Sequence, residues 1–104
     1  MRLYRFFLGL DTNGANIDAL DVANSLAANC FPHGHTIYNA QGRWTGAVGV
    51  IDEPTLIVEW MASAEQIANG SAHRLAQFFA GAYKNEANQE SVLITQQDIE
   101  ATFV

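Results

Sequence analysis

Residues 31–61 have the sequence FPHGHTIYNAQGRWTGAVGVIDEPTLIVEWM, and this stretch contains the pattern that decides the fold. Two segments rich in β-branched, aromatic and other apolar residues, His35–Ala40 and Thr55–Met61, flank a glycine-rich segment at 42–49. Such segments favour strands, and the glycines between them favour a turn. We therefore predict a hairpin, which residues 48–51 can extend.

On each side of the hairpin the sequence predicts a helix and at least one strand. Asn16 can cap a first helix; Ser63 and Gln66 form a capping box for a second, which Gly70 is expected to interrupt. The predicted elements are a strand at Leu3–Leu10, a helix at Ile17–Asn29, a helix from Ser63 to Lys84, a strand at Ser91–Thr95 and a short fifth strand at Ile99–Val104. The β-α-β-β-α-β order predicts an α+β, ferredoxin-like two-layer sandwich, with two helices on one face of an antiparallel sheet. A length of 104 residues predicts a single domain spanning residues 1–104.

The predicted sheet carries apolar side chains on both faces. Along the first strand, Leu3, Arg5 and Phe7 alternate with apolar residues that would face the helices. Ile57 and Met61 belong to the same outer face as these three. A face this apolar is rarely left in water, so we predict a homo-oligomer that buries it.

The charge of the chain argues against several classes of function. The net charge is −6 with only five Lys and Arg residues, whereas nucleic-acid binding needs a basic surface. An acidic chain favours either cationic small molecules or simple solubility. No apolar run is long enough for a membrane span, and the start MRLYRFFLGL fits a strand better than a signal peptide. The single cysteine, Cys30, is typical of a reducing cytoplasm.

Metal and cofactor motifs are weak. Cys30, His33 and His35 are close in sequence, but a structural zinc site needs a fourth ligand, and none is nearby. The two histidines are expected to flank a turn and bond to backbone, and Cys30 to be a small buried residue. The hairpin glycines match neither a P-loop nor a dinucleotide fingerprint. We predict no metal and no cofactor.

Two aromatic residues and a carboxylate near the hairpin turn form the first candidate site. Tyr38 and Trp44 stand in the hairpin, and Glu53 precedes its most apolar strand. Aromatic faces attract cations and a carboxylate fixes them, so the trio suits a flat, cationic ligand. The alternative is that the rings pack in the core or an interface and that Glu53 is solvated.

For one further residue and one further segment, the sequence also allows either a binding or a structural role. Glu59 interrupts an apolar strand, so it is either paired with Arg5 or Arg43 or exposed at a cavity. The segment Gln89-Glu90-Ser91 opens the last predicted strand, where polar groups either converge on a ligand or form an exposed turn. We include Glu59, Gln89, Glu90 and Ser91 among the candidate binding residues.

Several of these motifs resemble known families. The segment GRWTG, Glu53 followed by LIVEW, a long helix and Gln89 before SVLI together resemble the phage-encoded S-adenosylmethionine-degrading enzymes. The phrases FPHGHT, AQGRW and NQESVL also resemble a bacterial family of unknown function. Together the motifs cover most of the chain.

The first resemblance implies a fold and a chemistry. Its members are α–β sandwiches that form GlnB-like trimers with active sites between subunits. They act as lyases in the cytoplasm of the infected host, where a phage would use them against restriction. They split S-adenosylmethionine into methylthioadenosine and homoserine lactone, because the substrate's own carboxylate attacks its γ carbon, and they need no cofactor.

The resemblance also implies roles for residues. Glu53 matches the family's strand-entry Glu and would bind the amino group or ribose. Trp44 stands where the family more usually has Tyr, whose hydroxyl can hydrogen-bond, and Tyr38 is our candidate to supply that hydroxyl. Gln89, Glu90 and Ser91 match the entry to the last strand and would line the site from a neighbouring subunit.

Two rival functions come from other classes. One is a non-catalytic, oligomeric ferredoxin-like module that binds a nucleotide or blocks a host partner. The other is a ferredoxin-like enzyme that handles haem or a quinol, which His33 and His35 disfavour because they lie in a predicted turn.

Overall fold

The computed structural model describes residues 1–104 and shows an antiparallel sheet of four strands in the order β2-β3-β1-β4. The elements are β1 Arg2–Gly9, α1 Ala19–Cys30, β2 Thr36–Gly46, β3 Gly49–Ala62, α2 Ala64–Ala68, α3 Ser71–Glu86 and β4 Leu93–Asp98. This arrangement confirms the predicted α+β, ferredoxin-like sandwich. None of the helices has the length and apolar content to cross a membrane.

The core lies between the helices and one face of the sheet. Alternate residues of β1 and β3 are buried there, among them Phe6, Val58 and Trp60. Small residues repeat every four positions along α1 and α3, which lets both helices approach the sheet closely; these are Ala19, Ala23, Ala27, Ala72, Ala76 and Ala80. Phe31 and Phe79 fill the remaining space, with ring centroids 5.7 and 4.7 Å from that of Phe6.

The helix boundaries follow local capping chemistry. The Ser63 capping box is confirmed, since the Gln66 amide donates to Ser63 Oγ at 3.2 Å and the Ser63 amide to Gln66 Oε1 at 2.9 Å. The predicted interruption is also present, because Gly70 adopts a left-handed φ of 78° between α2 and α3. The predicted cap of the first helix was wrong: Asp18, not Asn16, accepts from the Asp21 amide at 3.1 Å. The helix therefore begins at Ala19.

The hairpin is longer than the sequence pattern predicted. Trp44 pairs with Ile51 and Gly42 with Glu53, so these positions are strand rather than turn. The strand β1 pairs with β3 only as far as Thr55. Residues 41–54 therefore project beyond β1 as a two-stranded ribbon, which we call the ribbon.

The C-terminal elements also differ from the prediction. The last strand is Leu93–Asp98, two residues later than predicted at its start, and no fifth strand forms at residues 99–104. There the Ile99 amide donates to the Met1 carbonyl at 3.0 Å, and no further ladder follows.

The face of the sheet opposite the helices, which we call the outer face, carries the alternate side chains of each strand that do not point into the core. Leu3, Phe7 and Met61 are partly exposed on it. Arg5 and Glu59 lie directly opposite each other, and Arg5 Nε donates to Glu59 Oε2 at 2.7 Å. Of the two arginines proposed for Glu59, the partner is Arg5 rather than Arg43, and Glu59 also lines a cavity described below.

Candidate functional site

A pocket of about 220 Å³ opens on the outer face, at the end where β1 stops and the ribbon begins. Ile51 and Glu53 are an even number of residues from Glu59 along β3, so strand alternation puts them on the outer face. Trp44 pairs with Ile51 and lies on the same face. Phe7 and Leu93 pair across β1 and β4 and form the apolar floor. The remaining wall comes from two loops, residues 11–13 and 89–91.

The carboxylate of Glu53 is the central acceptor of the pocket. Its Oε2 accepts from the Asp11 amide at 3.3 Å. The side chain lies over Gly9, where a Cβ atom would stand 2.7 Å from Glu53 Oε1 and 2.7 Å from Gln89 Oε1. The missing side chain at Gly9 thus lets two acceptor groups converge.

The two loops are joined by reciprocal side-chain amides. Asn13 Nδ2 donates to the Asn88 carbonyl at 2.8 Å, and Asn88 Nδ2 donates to the Thr12 carbonyl at 2.9 Å. Gln89 Nε2 donates to the Asp11 carbonyl at 2.6 Å. Asn13 and Asn88 both have a φ of 54°, the left-handed region that asparagine tolerates.

Trp44 folds back over the ribbon beside the pocket. A Cβ atom at Gly42 would lie 2.6 Å from Trp44 Nε1 and 2.5 Å from Thr55 Oγ1, so the indole occupies the space that Gly42 leaves. The Nε1 atom is buried without a hydrogen-bond partner. A buried unpaired donor costs about 1–3 kcal/mol of stability, and only a hydrogen-bond acceptor that reaches Nε1 can offset this cost.

Tyr83 anchors the strand end from the helix side. It is fully buried, and its hydroxyl donates to the Gly9 carbonyl. Burial, aided by the nearby charge of Glu53, raises the pKa of Tyr83 to about 12. The phenol is therefore a neutral hydrogen-bond donor at neutral pH, holding Gly9 in place beneath Glu53.

The pocket is acidic. Asp11, Glu53 and Glu90 line it, and no Lys, Arg or His does. Apolar side chains with a few carboxylates suit a ligand that is partly flat and apolar and also carries positive charge.

The pocket brings together five of the seven residues proposed from the sequence: Trp44, Glu53, Gln89, Glu90 and Ser91. Tyr38 and Glu59 are not among its lining residues. Tyr38 is six residues from Trp44 along β2, and Glu59 is six residues from Glu53 along β3. At the usual strand rise each separation is about 20 Å. They meet instead at Arg5, where Glu59 and, less strongly, Tyr38 raise the pKa of the guanidinium.

Sequence reasoning missed Gly9, Asn13 and Asn88 as parts of this site. The signals are the turn-forming segment DTNG and the polar Asn88 beside the candidate Gln89, but nothing in the local sequence indicates that these segments meet. Their interlocking depends on tertiary structure, since they are 75 residues apart.

The Cys-His segment lies elsewhere. Cys30, His33 and His35 line a separate cavity of about 640 Å³ that also includes Glu59. His35 Nδ1 bonds to the Phe31 carbonyl at 3.0 Å, and burial raises the pKa of the Cys30 thiol. No group of three or more His, Cys, Asp or Glu residues is arranged to hold a metal ion.

Comparison with known proteins defines first a fold and then a family. Two solved structures of phage SAM lyase are similar to this chain. One, in complex with S-methyl-5'-thioadenosine, has a TM-score of 0.70 at 17% identity, over 93% of this chain and 80% of that one. The other, in the apo state, has a TM-score of 0.63 at 19% identity, over 92% and 78%. The resemblance to phage SAM-degrading enzymes is thus confirmed at the level of the fold.

The chain belongs to a family described as protein of unknown function (DUF3574), whose profile matches residues 4–103. This match agrees with the second resemblance found in the sequence, to a family of unknown function. No curated protein matches the chain.

Proposed function

We propose that this protein is an S-adenosylmethionine lyase that produces methylthioadenosine and homoserine lactone. The observation that carries the proposal is the acidic, aromatic-lined pocket in which Glu53, Trp44 and Gln89 meet. It lies in a fold shared with phage SAM lyase, one structure of which holds the methylthioadenosine product.

The chemistry of the pocket suits this substrate. S-adenosylmethionine carries a sulfonium and an ammonium, and three carboxylates favour both. Its adenine has flat, apolar faces, which can stack on Trp44 and contact Ile51. Glu53 would accept hydrogen bonds from the ammonium or the ribose and hold the methionyl chain in a folded shape.

The reaction needs little from the protein beyond this positioning. A carboxylate oxygen of the substrate forms a bond to its own γ carbon, and the bond from that carbon to sulfur breaks. The electron pair stays on sulfur, which becomes the neutral thioether of methylthioadenosine, while the lactone keeps the ammonium. Because no proton has to move, catalysis consists of holding a near-attack geometry and excluding water.

The lack of a basic lining residue helps the nucleophile. An Arg or Lys beside the substrate's carboxylate would pair with it and lower its reactivity. None of the residues that line the pocket of one chain is basic. The acidic pocket thus favours the cationic parts of the substrate and leaves the carboxylate free to attack.

We also propose that neighbouring copies complete the pocket in a homotrimer. At about 220 Å³ the pocket of one chain is smaller than the roughly 300–1,000 Å³ of typical ligand sites. It opens on the partly apolar outer face, which a second copy would cover. In a phage-infected cell, such an enzyme would act in the cytoplasm and deplete the methyl donor and cofactor that restriction–modification systems use.

The test is incubation of the purified protein with S-adenosylmethionine, followed by chromatography for methylthioadenosine and homoserine lactone. Glu53→Gln keeps the size of the side chain but removes its charge, and we expect at least a 100-fold loss of turnover with an unchanged fold. Product formation at the rate of a blank would refute the lyase assignment. A thermal shift with other nucleotides, but not with S-adenosylmethionine, would then favour the non-catalytic module.

A further inference from the structure

We propose that Asn13 and Asn88 act as positioning residues and, together with Gln89, form a clasp that fixes Glu53 through the backbone of Asp11. The proposal rests on the proposed function for its substrate and on the hydrogen bonds of the two loops for its mechanism. None of the three side chains needs to react. Their work is to hold the main chain that aims the carboxylate.

Each amide of the clasp ends on a backbone carbonyl of the opposite loop. Asn13 donates to Asn88, Asn88 donates to Thr12, and Gln89 donates to Asp11, at 2.8, 2.9 and 2.6 Å. Because the acceptors are main-chain atoms, the three bonds fix the relative position of the loops themselves.

Asp11 is the point at which the clasp meets Glu53. Its carbonyl accepts from the Gln89 side chain, and its carboxylate accepts from the backbone amide of Asn13 at 2.9 Å. Its own amide donates to Glu53 Oε2 at 3.3 Å. With the carbonyl and the carboxylate both engaged, the two loops restrain the residue whose amide meets Glu53.

The clasp also fixes which atom Gln89 presents to the ligand. Gln89 Nε2 donates to the carbonyls of both Asp11 and Ala87, at 2.6 and 3.1 Å, which uses both of its hydrogens. Its Oε1 is left beside Glu53 above Gly9. The subsite is therefore made of acceptors alone, and it selects a ligand group with at least two donors, such as an ammonium or a ribose diol.

The experiment uses Asn88→Gly in the full chain. Glycine adopts the φ of 54° without strain, so the variant removes the side-chain donor and keeps the backbone. We expect kcat for S-adenosylmethionine to fall by roughly 10- to 100-fold, because a carboxylate that is misplaced by about 1 Å costs that much. A rise in KM alone would overturn a positioning role.

A matched control removes an equivalent bond far from the pocket. Asn69 Oδ1 accepts from the Ser71 amide at 2.8 Å between α2 and α3. Asn69→Ala should lower the melting temperature about as much as Asn88→Gly but leave kcat unchanged. Asn13→Gly should reproduce the loss in kcat, and the double variant Asn13→Gly/Asn88→Gly should lose less than the product of the two single effects.

A second measurement separates the clasp from the lyase assignment. Amide hydrogen exchange at Asp11 should be about tenfold faster in Asn88→Gly than in the wild type, which corresponds to about 1.4 kcal/mol of lost protection. Unchanged exchange overturns the proposal, as does faster exchange with an unchanged kcat. Faster exchange in Asn88→Gly, together with a wild-type protein that does not cleave S-adenosylmethionine, supports the clasp and refutes only the lyase assignment.

Discussion

At Gly9 a single missing methyl group makes room for the site. The oxygens of Glu53 and Gln89 converge where its Cβ would stand. We expect Gly9→Ala to displace both groups and to lower turnover at least tenfold, with little change in circular dichroism. Gly81→Ala is the control, because a Cβ there meets nothing within 4 Å. Equal activity in the two variants would contradict the role of Gly9.

Ser91 tests whether the substrate's carboxylate must stay unpaired. It lines the pocket, and no basic residue does. Ser91→Lys should pair with the attacking carboxylate and reduce kcat by at least tenfold, whereas Ser91→Gln should have a smaller effect at similar bulk. Steady-state kinetics on both variants decides the point, and a Lys variant as active as the Gln variant would reject it.

Tyr83 predicts a pH dependence of stability. Burial, with a contribution from Glu53, raises its pKa from 10.0 to about 12. The unfolded chain therefore releases this proton first, and its contribution to stability is complete below pH 10 and is lost as the pH rises to about 12. Tyr83→Phe should be less stable at pH 8 by about 1 kcal/mol, through loss of the bond to Gly9, and should show a shallower decline between pH 10 and 12. Chemical denaturation at several pH values measures both, and parallel declines would contradict the assignment.

Among the elements, those with local signals could be predicted from the sequence. The capping box at Ser63 and the break at Gly70 depend on residues within one turn, and both were correct. The ends of β2 and β3 were not, because Gly42 and Gly46 have turn-like chemistry but lie in strands held by cross-strand pairing. The candidate site follows the same rule: the sequence pointed to Trp44, Glu53 and residues 89–91, but not to Asn13 and Asn88, which meet only through the tertiary fold.

The break between α2 and α3 gives a prediction about stability. Gly70 has a φ of 78°, and a Cβ there would stand 3.1 Å from Arg74 Nη1. Gly70→Ala should lower the free energy of unfolding by about 1 kcal/mol, whereas Gly70→Asn should cost less because asparagine tolerates this conformation. Urea denaturation of the two variants tests this, and an Ala variant as stable as the wild type would contradict it.

For the whole molecule, the outer face and the small pocket are the two features on which the proposed homotrimer rests. Leu3, Phe7 and Met61 share that face with the pocket mouth and are partly exposed. We expect light scattering to give three times the chain mass of 11.4 kDa. Met61 does not line the pocket, so Met61→Arg should disrupt assembly and activity together without unfolding the chain. An active monomer would rule out a shared site.

The clasp has a consequence for the order in which the protein acquires activity during synthesis. Its partners are 75 to 78 residues apart, so Glu53 leaves the ribosome well before the loop that aims it. A nascent chain can form its hairpin early and still be inert. Under the proposed function, cleavage would begin only after the last strand has been made and docked and the copies have assembled.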